Sequence, residues 1–257
     1  MSRISEAFNG HKAFIPFITC GDPDIKTTEK IVRAAIDNGA DLIELGIPFS
    51  DPTAEGPVIM EADRRALLSG TTTDDVFELT GKLRKDYSIP FVYMTYANVI
   101  YSYGTEKFAK KAAEAGIDGI ILPDVPFEEK GEFEPVFAEV GIDLISMIAP
   151  TSENRIGTIA KEAKGFIYIV SSLGVTGTRT DITTDIGAIT EVIRKNTKVP
   201  CAVGFGISTP EQAEKMAGLS DGAIVGSAII KLIAKYGRDA AGKVGEYVKE
   251  MAEAVHR

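Results

Sequence analysis

Short apolar runs recur along the chain, each followed by a longer segment in which apolar positions return every three or four residues. The runs occupy residues 14–19, 41–46, 90–96, 119–122, 143–148, 166–171, 200–203 and 222–225. Several are apolar at consecutive positions, as in AFIPFIT, PFVYMTY and GFIYIV. A strand that is apolar on both faces belongs in a parallel sheet covered on both sides. The segments between the runs read as amphipathic helices. Residues 25–38 place Ile31, Val32, Ala35 and Ile36 on one face and stop at Gly39, a residue suited to a helix C-terminus. Residues 105–115 stop at Gly116 in the same way, and Thr209-Pro210-Glu211 carries an N-cap residue with proline in the first turn. Eight strands alternating with helices predict an α/β fold of the (β/α)8 TIM-barrel kind. The first ten residues are expected to add a short extra N-terminal helix closing the barrel bottom. A doubly wound sheet is the alternative, disfavoured because no GxGxxG follows the first strand.

The 257 residues suit one such barrel, and no linker or low-complexity tract divides them. We read residues 1–257 as one domain. The net charge of −9 argues against a general binder of nucleic acid or anionic membrane. No apolar run is long enough for a transmembrane helix, and the first ten residues lack the apolar core of a signal peptide. A cytoplasmic location is expected. Cys20 and Cys201 sit apart in apolar runs and read as reduced core thiols. His11 and His256 both lie near the chain ends, so neither a His-centred triad nor a His-rich metal site is expected.

In this fold the reactive groups lie where strands end. Glu44 stands inside the apolar run Leu42-Ile43-Glu44-Leu45-Gly46. Desolvation there raises a carboxyl pKa toward the range useful for acid–base chemistry, unless a Lys or Arg pairs with it. The next segment, Pro48-Phe49-Ser50-Asp51-Pro52-Thr53-Ala54-Glu55-Gly56-Pro57, reads as a loop over the barrel mouth with two more carboxylates. Glycines follow three late strands: Gly174 and Gly177 after the sixth, Gly204 and Gly206 after the seventh, and Gly226, before Ser227, after the eighth. Loops there, with the amide end of a helix, form a phosphate site in many barrels, although glycine also serves simple turns. Asp22, Tyr96, Asn98, Asp124 and Tyr168 are further strand-end groups. Phe17, Met94, Ile148 and Phe205 fit either an apolar pocket or the barrel core.

Five segments together resemble the tryptophan synthase alpha chain family: Phe14 to Pro23, Glu44 to Pro52, Pro123 to Pro126, Gly174 to Gly177 and Gly204 to Ser208. They are ordered and spaced as in that family over nearly the whole chain, and the run ELGIPFSDP is highly specific. The resemblance implies retro-aldol cleavage of indole-3-glycerol phosphate to indole and glyceraldehyde 3-phosphate. It implies Glu44 as general acid–base and a loop carboxylate, here Glu55, as acceptor of the indole N–H. It puts the phosphate on Gly177, Gly206, Gly226 and Ser227, and the indole among Phe17, Met94, Ile148, Tyr168 and Phe205. It also implies a beta subunit in an alpha2-beta2 assembly, faced by Pro48, Asp51 and the loop 173–185. Pyridoxal phosphate would belong to that partner, with no cofactor in this chain.

The chain departs from the family at three positions. Glu55 stands where the family has Asp, Thr53 where it has Leu, and Met60 where Gln is usual. The extra methylene of Glu55 moves its carboxylate by about 1.5 Å, and a displacement of about 1 Å can cost roughly 100-fold in rate. A mainly regulatory subunit is therefore a competing reading. A sugar-phosphate epimerase or isomerase is a third, opposed by the scarcity of histidine and by the Glu44 run.

Overall fold

The computed structural model describes residues 2–152, 154–171, 177 and 184–257. Its strands are β1 (Ala13–Thr19), β2 (Ile43–Gly46), β3 (Phe91–Met94), β4 (Gly119–Ile121), β5 (Asp143–Leu144), β6 (Ser146–Ile148), β7 (Ile167–Val170), β8 (Cys201–Gly204) and β9 (Gly222–Val225). All pair in parallel, in the order β5-β4-β3-β2-β1-β9-β8-β7-β6. β5 and β6 sit at opposite edges of that order yet are separated in sequence only by Ile145, whose N–H reaches the Ile120 carbonyl. The run 143–148 thus joins both edges, and the sheet closes into a barrel of eight staves. All seven residues of β1 are buried, as a strand flanked on both faces requires.

The helices cover the outside. α2 (Ile25–Asp37) starts on the Asp24 side chain, which accepts the Thr27 N–H, and gives way to Gly39 at φ +103°. α6 (Thr105–Ala115) ends on left-handed Gly116. α10 (Pro210–Leu219) opens with a reciprocal cap between Thr209 and Gln212. The other helices are α7 (Glu134–Glu139), α8 (Ile156–Glu162), α9 (Ile186–Asn196), α11 (Ser227–Tyr236) and α12 (Ala240–Val255). α12 packs on α2 and α10 and so ties the end of the chain to its beginning.

Two connections hold more helix than the simple repeat requires. Between β2 and β3 lie α3 (Pro57–Leu68) and α4 (Thr73–Asp86); between β3 and β4, α5 (Ala97–Tyr103) precedes α6. Pro57, the last residue of the loop read from sequence, is the first residue of α3, where its missing N–H costs nothing. The N-terminal helix α1 (Arg3–Glu6) is capped by Ser2 and buries Ile4 completely. A Cβ on Gly119 or Gly165 would lie 3.1 or 3.2 Å from the end of Ile4. Ile4 therefore plugs the end of the barrel where the strands begin.

Candidate active site

Glu44 of β2 lies in register with Phe17 of β1 and Val92 of β3. In-register neighbours on parallel strands share a face, here the barrel interior. Glycines hollow that interior at the strand ends. A Cβ on Gly46 would meet the Phe17 ring at 2.6 Å, and one on Gly204 would meet the Tyr168 hydroxyl at 2.2 Å. A Cβ on Gly226 would come within 3.3 Å of Phe17. Without these side chains, Phe17 and Tyr168 can lie across the barrel and line a cavity at its mouth.

Glu44 is 1% exposed, and its Oε1 has no hydrogen-bond partner among the described residues. Burial, and secondarily the charge of Glu55, pushes its carboxyl up to about 8. Near neutral pH it therefore holds a proton that it can give and take. Glu55, on the loop after β2, is also buried and shares the cavity wall. Burial raises the Tyr168 hydroxyl as well, and the charges of Glu44 and Glu55 add to it.

A second row of carboxyls stands behind these. Asp63 of α3 is pushed up to about 8 by burial and then by the charges of Glu55 and Asp22, while a hydrogen bond from the Phe49 N–H opposes the shift. Asp22, fully buried, is held by both arms of Arg65 at 2.8 Å each. Asp124 accepts the Ala97 N–H at the start of α5, and Asn98 accepts from Ser102. Those three groups hold the frame and do not line the cavity.

The loop that carries Glu55 is fixed at one point by Tyr96, whose hydroxyl accepts the Ala54 N–H at 3.2 Å and whose ring lies 5.3 Å from that of Phe49. Asp51 and Thr53 are exposed, while Pro48 is buried within the chain. Opposite, Phe205 has φ +76°, a conformation rare for a side chain of its size, and Gly206 follows at +81°. The Ser171 hydroxyl donates to the Phe205 carbonyl at 2.6 Å, and the Phe205 ring meets Tyr168 edge to face at 6.2 Å. Strain maintained in this way is common at ligand sites. Beside it α11 begins at Ser227, with Gly226 as a cap that supplies no side-chain hydrogen bond. First-turn amides of a helix have no intrahelical partner and attract anions.

The cavity wall thus brings together Glu44, Glu55, Phe17, Met94 and Tyr168 with the glycine positions 177, 206 and 226, Phe205 and Ser227. Ile148 is not part of it. Met147 pairs with Tyr168, so Ile148, one position on and in register with Ile169, faces the other way and is fully buried there. Asp51 and Pro48 also lie off the wall. Ile59, Ile207 and Ile224 complete it and were not singled out from sequence. Ile224 stands two strand positions before Gly226, so strand periodicity held its signal; Ile59, in the first turn of α3, carried none while 48–57 read as loop. Of the loop 173–185, residues 173–176 and 178–183 lie outside the described residues.

The sequence profile of the tryptophan synthase alpha chain matches residues 5–256. The tryptophan synthase alpha chain of Lacticaseibacillus casei is 46% identical over 255 residues, covering 99% of this chain and 96% of its own. That of Thermoanaerobacter pseudethanolicus is 49% identical over 240 residues, covering 91% and 92%. Among solved structures, tryptophan synthase subunit alpha from Legionella pneumophila superposes with a TM-score of 0.88 at 35% identity, covering 99% of this chain and 98% of its own. A chain of Mycobacterium tuberculosis tryptophan synthase superposes at 0.90 with 29% identity, covering 100% and 99%. On a match of this extent in both sequence and fold, the chain belongs to the tryptophan synthase alpha chain family.

Proposed function

We propose that the chain cleaves indole-3-glycerol phosphate to indole and glyceraldehyde 3-phosphate, with Glu44 moving both protons. The protonated carboxyl delivers a proton to indole C3, giving a cationic ring. The resulting carboxylate takes the proton from the side-chain hydroxyl next to the ring. As that oxygen becomes the aldehyde carbonyl, the C–C bond to the ring breaks and its electron pair restores neutral indole. Glu44 ends protonated, as it began. Glu55 accepts the indole N–H and offsets the positive charge of the protonated ring. The apolar wall of Phe17, Met94 and Phe205 fits the indole, and the amides around Gly206, Gly226 and Ser227 fit the phosphate. No lysine or arginine is among the described wall residues, so backbone groups carry the recognition of the anion.

The observation that carries this reading is the buried Glu44, whose Oε1 has no hydrogen-bond partner among the described residues, in a cavity bounded by the start of α11. We further propose that the chain works with a beta subunit in an alpha2-beta2 assembly, with the exposed Asp51 and the loop 173–185 on the facing side. The solved relatives include a tryptophan synthase complex from Pyrococcus furiosus. Pyridoxal phosphate would be the partner's, this chain needing no cofactor. No helix of the described residues is long and apolar enough to cross a membrane, which accords with work in the cytoplasm.

The test is indole release by the purified chain, alone and with a beta subunit, for the native protein and Glu44→Gln. Release that rises with the partner and is lost in Glu44→Gln is expected. A folded native chain that stimulates the partner but releases no indole would instead make this a regulatory subunit.

A further inference from the structure

At the end of the barrel away from the cavity, the fold gathers both histidines of the chain around one carboxylate. His11 precedes β1, Asp41 precedes β2, and His256 follows α12. His11 Nε2 lies 2.8 Å from Asp41 Oδ1, and His256 Nε2 lies 2.8 Å from Asp41 Oδ2. The two rings meet edge to face at 5.3 Å. Sequence separation made a His-based metal site unexpected; the docking of α12 on α2 brings the histidines together.

The hydrogen bonds around the cluster fix its chemistry. His11 Nδ1 faces the Asn9 carbonyl at 3.3 Å. A carbonyl only accepts, so Nδ1 carries the ring proton in that contact. At 2.8 Å each Nε2 shares a proton with an Asp41 oxygen, and a metal ion would take the place of those protons between the rings and the carboxylate. A ligating histidine with its other N–H on a backbone carbonyl is the usual outer arrangement of a metal site. Asp41 has matching support, because its Oδ2 accepts the Phe14 N–H at 2.7 Å.

We propose that His11, Asp41 and His256 bind a divalent transition-metal ion of the zinc class. The three ligand atoms lie within 4.8 Å of one another. Tetrahedral zinc with bonds near 2.1 Å needs them about 3.4 Å apart. The imidazoles are 39% and 33% exposed in their side chains, so they have room to close that gap, and solvent can fill the remaining position. Two imidazoles with one carboxylate favour zinc, nickel or copper over magnesium or calcium. The cations next in sequence to the two histidines have carboxylates of their own: Lys12 faces Asp221 and Arg257 faces Glu214. The ion would fasten the end of α12 to the start of the first two strands.

The experiment uses untagged protein, stripped with EDTA and titrated calorimetrically with zinc chloride in a non-chelating buffer. One ion per chain is expected, with Kd of about 1–50 μM for three exposed ligands, and a higher Tm with zinc than with EDTA. His11→Gln and His256→Gln keep a side-chain donor for Asp41 but remove a ligand, and each should weaken binding at least about tenfold. Their circular dichroism without metal reports folding separately, and no readout depends on indole release. Less than half an equivalent bound at 100 μM zinc (roughly twice the weakest affinity expected), or glutamine variants that bind as tightly as the native chain, would overturn the proposal; in the first case a proton alone bridges the cluster.

Discussion

Replacing Glu44 by glutamine should make the protein's stability less sensitive to pH, and the structure sets the sign and window. The folded carboxyl titrates at about 8, against an ordinary value of 4.5 in the unfolded chain. Between those values the native state holds a proton that the unfolded state has released. Stability therefore falls as pH rises through that window. Below 4.5 both states are protonated and Glu44 costs nothing; above 8 both are ionised and the full penalty stands. Each pH unit in the window is worth about 1.4 kcal/mol, so the total is at most roughly 4–5 kcal/mol, reduced by any water that enters the cavity. The amide is nearly isosteric, and the penalty for burying its own polar atoms, about 1–3 kcal/mol, does not vary with pH. Asp63, also pushed up to about 8, tilts both proteins in the same direction and largely cancels in the difference. The assay is urea unfolding of native and Glu44→Gln at pH 5.5 and 8.5. Relative to the native chain, the variant should gain at least about 2 kcal/mol between the two pH values. A difference that stays constant within error would refute the claim that Glu44 is buried with a raised pKa, and with it the proton supply assigned to it.

Three further outcomes are expected. Glu55→Asp restores the residue usual in the family, but the loop is tethered through Ala54 and Tyr96, so the carboxylate retreats; kcat/KM for indole release should drop by roughly 10- to 100-fold, and an unchanged value would mean that the loop follows the side chain. Gly204→Ala should force Tyr168 off its seat, lowering stability by about 1–3 kcal/mol in urea melts; a neutral result would show that the 2.2 Å approach is relieved without cost. Arg65→Met strands the fully buried Asp22 and should cost about 3–5 kcal/mol near neutral pH, with much of the loss recovered in Arg65→Met/Asp22→Asn.

The barrel was legible because its strands are apolar on both faces and their helices end on glycines with left-handed backbones. Each of those signals is local. The paired helices were not, since PTAEGP reads as loop up to the point where Pro57 turns out to start α3, and ANVIYSY is apolar enough to pass for more strand. Glu44 stood out as one charge in an apolar run. Asp63 did not, because in sequence it resembles any polar helix position; only the packing of α3 turns it inward. Asp22 and Arg65 are 43 residues apart and the two histidines 245 apart. Partnerships of that range are decided by the closed topology, which no window along the chain can display. Ile148 shows the opposite limit: its residue type suits a pocket, but strand parity sets its direction.

The Ile4 plug bears on traffic. With the far end of the barrel stopped by a fully buried side chain, the described residues leave the cavity a mouth between the loop after β2 and the start of α11. Substrate and both products then share that threshold. A surface docked over it becomes the onward route for whichever product it receives. The other can leave only when that surface draws back, so its release should be slower with such a surface in place than without it.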